Sequence, residues 1–507
     1  MQGMGYLDAS LCSFNIETLF ICSFQSSLVF FMQAGFAMVC AGCVQKKNVQ
    51  NTMLKNLLDA CGAAIGFYCC GYAFAFGGST KSGFPTTFIG NSNFFLMGLD
   101  DSYHPGQDSL LHGNSYWLFQ FAFAATAATI IAGTLAERCQ MGAYLGYSVI
   151  MTSFVYPVVV HAVWSPNGFL SPSNANPLFG VGMIDFAGSG VVHTTGGFVA
   201  IVATYILGAR RGRFHDERGD LLPKPKKFVG HSASLQVMGT FILWFGWFGF
   251  NPGSALFVTD PSHAYAASRA AVTTTLSAAA GGISSLVCNY WHTERMTGEG
   301  YYDLGMAMNG SLAGMVAITS GCTVITTWAS IIVGTVAGAV YLGASLGLEK
   351  LCLDDAVDAI PVHLANGIWG CIATGLLAAP DCTLQVYGQD HSVGWFYEWA
   401  RGSANGRLLA AQLVGLLFII TWSAAIMYPL FSIIDYMGWF RSDSLEELVG
   451  LDISYHGGET TEGPNNTEFQ EAMKIKKSIE SATKKGFFKR RKTQHLEEID
   501  AIVEQGA

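Results

Sequence analysis

The sequence predicts an all-α, polytopic membrane protein of eleven transmembrane helices. Of its 507 residues, 51% are hydrophobic and only 12% charged, about half of the roughly 25% usual in soluble domains. Glycine is abundant (59) and proline scarce (14), which suits helices packed closely in lipid. Eleven apolar stretches are long enough to cross a hydrocarbon core, which takes about 20 residues. Lys and Arg gather in alternate connections, as they do when the connections lie on opposite sides of a membrane.

The stretches begin near Leu19, Leu57, Tyr116, Ala143, Ala187, Ser232, Ala267, Leu304, Val324, Ile360 and Leu409. Their period is helical or they are uniformly apolar, with no strand-like alternation. No Lys or Arg precedes Lys46; without a basic leader, span 1 reads as a permanent helix rather than a cleaved signal. The connection after span 1 holds Lys46, Lys47 and Lys55, and the one after span 5 holds Arg210, Arg211, Arg213, Arg218, Lys224, Lys226 and Lys227. On the opposite side the loop from Gly78 to Ser115 has only Lys81, Ser165 to Asp185 has none, and the loop after span 10 has Arg401 and Arg407. An odd number of spans and this asymmetry put the N-terminal segment (1–18) outside, the helical domain at 19–437 and the tail (438–507) in the cytoplasm. That tail carries a basic cluster from Lys474 to Lys492 around Phe487 and Phe488. It reads either as a solvated, partly helical tail or as a segment that binds anionic lipid of the inner leaflet.

Span 5 contains Asp185 and then Val192-His193 with Gly197, and span 10 contains Asp358 and then Val362-His363 with Gly367. An odd offset of five spans inverts the second half relative to the first, a layout that brings a site near the midplane. No Lys or Arg falls in the middle of any span, and Asp59 is the embedded acid away from helix starts. A titratable group in a span is costly and is a functional candidate for that reason. His193 and His363 lead, with His161 third. A lone His on an apolar helix favours a structural role, whereas a pair at repeat-related positions favours function. Neutral imidazole both donates and accepts, so two in contact can pass a proton or line a pore. A metal site has no third ligand at useful helical spacing. Asp185 and Asp358 read as N-caps, Asp185 with a secondary effect on the field met by an arriving cation.

Phe119 and Phe123 share one face of span 3, Trp164 ends span 4, and Trp244, Phe245, Trp247, Phe248 and Phe250 crowd the end of span 6. An interfacial belt and core packing account for most such rings. A cation short of its water can also be held over ring faces, at about 0.5–2 kcal/mol per contact, with a hydroxyl such as Ser254 as acceptor. The thirteen cysteines show no metal-binding spacing; Cys12, Cys22, Cys322 and Cys382 fall where a disulfide is conceivable. No GxxxxGK[ST], HExxH or nucleophile elbow occurs, so an ATP-driven pump and an enzyme have no support. No cofactor, metal or nucleic acid is called for.

Asp185-Phe-Ala-Gly-Ser-Gly-Val-Val-His193 resembles the signature of the ammonium transporter (Amt/Mep/Rh) family. So do Phe30 to Met38 in span 1, Gly133-Thr-Leu-Ala-Glu-Arg138 after span 3 and Trp247-Phe-Gly-Phe-Asn-Pro-Gly-Ser254 after span 6. The likeness runs from about Leu19 to His456 and is strongest to the eukaryotic, plant-like Amt branch, to whose tail Val449–Gly457 is similar. It implies the ammonium transporter fold, an inverted five-helix repeat and a homotrimer with one pore per protomer. It further implies an outer ammonium site of Phe119, Phe123, Trp164 and Ser254, a gate of Phe123 and Phe250, twin pore histidines His193 and His363, and Asp185 as the acid near recruitment. Ser454 matches the position of a phosphorylatable Thr in plant relatives. Leu364, where the family usually has Gly, departs from the pattern together with Pro252 and Pro361, and all three bear on helix approach around His363.

The implied activity is transport of ammonium or ammonia, with methylammonium as a further substrate, by an integral protein of the plasma membrane in contact with its lipid. Two alternatives stand beside it. One is an ammonium sensor with little flux, which would fail to rescue cells lacking ammonium uptake. The other is a Rh-like neutral gas channel, in which a cation site has no purpose and ammonium evokes no inward current.

Overall fold

Backbone geometry is described for residues 9–78, 87–99, 113–216, 218–256 and 261–456 of the computed structural model, with side chains from Phe20 onward apart from residue 445. Lys81, the side chain of Cys12 and the basic cluster Lys474 to Lys492 lie outside the described residues. Where the chain offers a long apolar run, its backbone donors and acceptors pair within one helix, the arrangement lipid requires. Ten such helices are long and apolar enough to span. They are α1 (Phe20–Cys43), α2 (Lys46–Phe76), α3 (Asn114–Thr134), α4 (Met141–Trp164) and α5 (Ser189–Leu207), followed by α6 (Ala233–Ala255), α7 (Pro261–Thr297), α9 (Thr327–Lys350), α10 (Ile360–Leu377) and α11 (Arg407–Tyr436). The shorter apolar helix α8 (Leu304–Thr319) makes the eleventh. Among the described residues there is no strand, only two isolated bridges. The protein is therefore all-α and polytopic, with α1–α5 and α6–α10 as inverted halves and α11 closing the set.

Small residues let these helices approach. Nearly all of α3 is buried, and its run from Ala122 to Ala132 sits in the centre of the core. The α7–α8–α9 group is joined through Ser277, whose hydroxyl donates to the Gly314 carbonyl at 2.7 Å. The ends are capped by side chains: Ser232 accepts from the Leu235 amide before α6 and Asp303 from the Met306 amide before α8, filling donors that a helix start leaves open.

Two expectations change. Lys55 is not in a connection: α2 begins at Lys46, and Lys55 is 2% exposed within it, its Nζ donating to the Cys139 carbonyl at 2.6 Å. Its neighbours Asn51, Asn56 and Asp59 are buried too, so this turn is polar yet interior, and hydropathy alone places the start of the helix too late. Arg210 is likewise no surface charge. It forms a two-pronged pair with Asp354, Nε to Oδ2 at 2.7 Å and Nη2 to Oδ1 at 2.8 Å, and approaches Glu137 at 3.4 Å. Glu137 in turn accepts from the Gln45 amide and side chain at 2.7 and 2.8 Å. These contacts join the ends of α1, α3, α5 and α9 on one side of the protein, its basic end. Burial opposes ionisation of Asp354, but hydrogen bonds from Arg210 and the charges of Arg138 and Arg210 outweigh it and hold the carboxyl well below the usual range.

The chain divides into two compact units after Ser442. Residues Gly438 to Ser442 belong to the helical unit, where Gln140 Nε2 donates to the Gly438 and Arg441 carbonyls at 3.1 and 2.7 Å. In the second unit, α12 (Ser444–Val449) opens on a capping box between Asp443 and Glu446. After Gly450 at φ +109, α13 (Leu451–His456) follows. Tyr455 donates its hydroxyl to Glu446 at 2.8 Å.

Candidate transport site

Both repeat histidines stand at the starts of their helices, and in both the first turn is π-helical: Ser189–Thr194 in α5 and Ile360–Ala365 in α10. A wide turn leaves carbonyls unpaired, and side chains fill them. Thr194 Oγ1 donates to the Ser189 carbonyl at 2.9 Å, and Asn366 Nδ2 donates to the Pro361 carbonyl at 2.9 Å. The amides at the start of α5 are gathered by Asp185, which accepts from Gly188, Gly190 and Val191 at 3.1, 2.9 and 2.8 Å, as expected of an N-cap. In α10 the cap is Asp355, accepting from Val357 and Ile360 at 3.2 and 2.7 Å. Asp358, the expected cap, instead accepts from the Tyr341 and Ser345 hydroxyls at 2.9 and 3.1 Å. The matching spacing is therefore Asp185 to His193 and Asp355 to His363, eight residues in each case.

The helices cross where each half receives the other. A side chain at Gly197 would meet the Leu364 amide nitrogen at 2.5 Å, and one at Gly367 would meet the Ser189 carbonyl at 2.6 Å and Thr194 Oγ1 at 2.6 Å. Each glycine lies four residues beyond its own histidine and rests against the residue that follows the other one. Leu364 is thus accommodated by the absence of a side chain on the opposite helix.

This crossing brings the rings together. His193 and His363 have Nδ1 atoms 3.1 Å apart and ring centres 5.1 Å apart, nearly parallel at 19°. Both are buried, and among the described residues His193 Nε2 has no hydrogen-bond partner. With two Nδ1 atoms in contact, one donates and the other accepts, so at least one ring is neutral. Trp247 stacks on His193 at 5.3 Å and 16°, fixed by its Nε1 donating to Thr319 Oγ1 at 3.2 Å. Phe36 lies 6.1 Å beyond His363.

Phe250 lies 5.5 Å from His193 and 5.4 Å from Trp247 and stacks on Phe123 at 4.2 Å and 24°. Phe123 also meets Phe119 at 4.7 Å and the edge of Trp164 at 5.9 Å and 81°. Trp164 is held by its Nε1 donating to the Asp185 carbonyl at 2.7 Å. Ser254 donates its hydroxyl to the Phe250 carbonyl at 2.7 Å, which leaves its oxygen lone pairs for another donor. The structure thus strings Phe119, Phe123, Phe250, His193 and His363 into one buried file, with Trp164 and Ser254 beside its aromatic end.

His161 is not in this file: it is buried in α4 and its Nδ1 is 2.7 Å from the Ala75 carbonyl. Ser454 lies in the second unit, its hydroxyl donating to the Gly450 carbonyl at 3.0 Å. Trp247, Phe36 and Asp355 were not singled out. Trp247 precedes Phe250 by three residues, one helical turn, and that spacing puts both on one face. Asp355 was legible from the eight-residue spacing that Asp185 sets. Cys22, Cys322 and Cys382 are free thiols.

Eleven helices in two inverted halves, meeting on a buried file of rings, define a polytopic α-helical membrane transporter. The chain belongs to the ammonium transporter family: the profile described as Ammonium Transporter Family matches residues 19–461. It is 42% identical to ammonium transporter 1 member 3 of Solanum lycopersicum, over 86% of this chain and 91% of that one. To ammonium transporter 1 member 2 of Arabidopsis thaliana it is 43% identical, over 83% of this chain and 79% of that one. Among solved structures it is similar to a sensor Amt protein, with a TM-score of 0.72, 29% identity and coverage of 87% and 98% of the two chains. The Mep2 protein of Candida albicans gives a TM-score of 0.69 at 28% identity, over 85% and 87%. These relatives place the chain with the plant-like Amt proteins, which are named as transporters and not as enzymes.

Proposed function

We propose that the chain recruits ammonium between Phe119, Phe123, Trp164 and Ser254 and conducts it, as ammonia and a proton, past Phe123 and Phe250 and along His193 and His363. The observation that carries this reading is the 3.1 Å contact between the two imidazoles, directly behind the stacked phenylalanines. A bare cation loses its hydration at large cost in an apolar passage. Ring faces replace part of that water at about 0.5–2 kcal/mol each, and the Ser254 oxygen accepts one N–H. Once the proton is shed, the neutral molecule passes the rings, while the paired Nδ1 atoms offer the proton a donor–acceptor route. Potassium has no proton to give and is rejected. Asp185 supports the site from below by holding Trp164 through its carbonyl and α5 through its carboxylate.

The aromatic end faces outward and the basic end the cytoplasm, in keeping with the Lys and Arg distribution; the N-terminus is outside and the tail within. The protein works as a homotrimer in the plasma membrane, accepts methylammonium, and carries in Ser454 a hydroxyl of the tail open to phosphorylation. His193→Ala and His363→Ala are each expected to abolish selective transport. In voltage-clamp recordings, wild-type ammonium current and wild-type exclusion of potassium in both variants would count decisively against the pore.

A second reading has one observation in its favour, the likeness to a structure described as a sensor Amt protein. A sensor would bind ammonium in the same place with little flux. Growth rescue of cells lacking ammonium uptake separates the two, since only a transporter restores growth.

A further inference from the structure

One buried polar group at the aromatic end has no place in this scheme. Gln25 of α1 is 9% exposed, and among the described residues its Oε1 has no hydrogen-bond partner. An unsatisfied amide oxygen inside a transmembrane helix is costly, and a polar side chain kept there at that cost is a candidate for function. Its position gives the function. The Gln25 side chain lies against Gly253, where a Cβ would come within 3.2 Å of its Cβ and Cγ and 3.3 Å of its Cδ. The backbone carbonyl of Gln25 approaches the Gly249 position at 2.8 Å. Gly253 precedes Ser254, so the Gln25 side chain packs on α6 in the space that the missing side chain of Gly253 leaves, one residue from the Ser254 hydroxyl, while the α1 backbone and Leu28 fill the space at Gly249. On its other side α1 packs on α3 at the same height: Cys22 Sγ donates to the Ser115 carbonyl at 3.5 Å, and Phe30 meets Phe121 at 5.7 Å. Gln25 lies between these two levels, as Phe119 does.

We infer that Gln25 is a specificity-determining residue of the outer mouth, its Oε1 accepting an N–H of the arriving cation beside Ser254. This rests on the reading of Phe119, Trp164 and Ser254 as the place of recruitment. Ammonium presents four N–H donors, and ring faces with one hydroxyl leave part of that set unfilled. A neutral amide oxygen fills one more donor without the full negative charge that would retain the cation. Methylammonium has three donors and a methyl group, so it can turn the methyl toward Gln25 and depends less on the amide.

The test is voltage clamp of the full-length chain, with surface expression measured, comparing Gln25→Met, Gln25→Glu and Ser254→Ala in ammonium and in methylammonium. Gln25→Met keeps length and removes the acceptor. It is expected to raise the half-saturating ammonium concentration roughly tenfold, the loss of one hydrogen bond to a charged group, and that for methylammonium clearly less. Gln25→Glu is expected to move ammonium the opposite way, to tighter and slower transport. Unchanged half-saturation for ammonium in both Gln25 variants overturns the inference. So does an equal factor for the two substrates in Gln25→Met, which marks a loosened wall rather than a lost acceptor. If Ser254→Ala is wild type, the recruitment reading falls and takes Gln25 with it; if Ser254→Ala weakens binding and Gln25→Met does not, only the role of Gln25 falls.

Discussion

A histidine is a small signal in a long sequence, and its meaning here came from its partner. His193 and His363 were legible because the same short pattern recurs five spans later, and the structure brings their rings to 5.1 Å. His161 stands outside that pattern and lies against a backbone carbonyl. Trp247 shows what residue-level reading loses: it stood in a crowd of five rings, and only the stack on His193 separates it from Phe245, which is 54% exposed. Belt residues and lining residues are chemically alike, and only the helix's rotation about its axis tells them apart. At the same scale, Ser454, in a six-residue helix, donates to the carbonyl of Gly450 just before that helix, a bond that a carboxylate cannot make. Ser454→Asp is expected to lower ammonium uptake severalfold at equal surface expression if this turn acts as a switch; isotope uptake equal to wild type would dispose of the idea.

Elements were readable in number and order and less so at their ends. Hydropathy finds where a helix is greasy, so it began α2 near Leu57, whereas buried Asn51, Lys55 and Asn56 already belong to it. The π-helical openings of α5 and α10 have no hydropathy signature at all. Asp358 precedes span 10 in the repeated Asp, Val-His pattern, yet Asp355 is the acid that reaches the free amides. That cap predicts a pH effect. Burial first, and then the neighbouring Asp358 charge, push the Asp355 carboxyl up to about 7. Because the folded value lies above the unfolded one, the contribution to stability is full below about 3.9 and is lost as pH rises through about 7. The wild type should therefore melt at a lower temperature at pH 8 than at pH 6, and Asp355→Asn should flatten that difference. The span corresponds to on the order of 4 kcal/mol across the full range. Melting curves in detergent between pH 5 and 8 check this, and an unchanged slope in the variant would assign the effect to another group.

At the scale of the helical unit, eleven spans are available from composition, length and charge, because lipid permits few solutions, and the inverted repeat from the Val-His pattern that recurs five spans later. The buried ionic network at the basic end was not, since Arg210 and Asp354 are 144 residues apart and a basic loop ordinarily reads as solvated. Removing one partner of a buried pair costs about 3–5 kcal/mol when the other charge is left alone. Asp354 keeps Arg213 at 3.6 Å, so the loss of Arg210 costs less than that but still far more than the loss of an exposed arginine. Arg210→Ala should therefore lower the melting temperature well beyond Arg211→Ala, whose side chain is exposed. Equal melting of the two in detergent would mean that the pair contributes nothing to holding α5 against α9. A last consequence follows from the two glycines that seat the opposite half. Because Gly197 receives Leu364 and Gly367 receives Thr194, neither half of the molecule is free to drift alone. A heritable change that enlarges one seat needs a compensating reduction across the axis, so these four positions should vary in concert over descent, and chimaeras joining halves of distant relatives should fail first at this crossing.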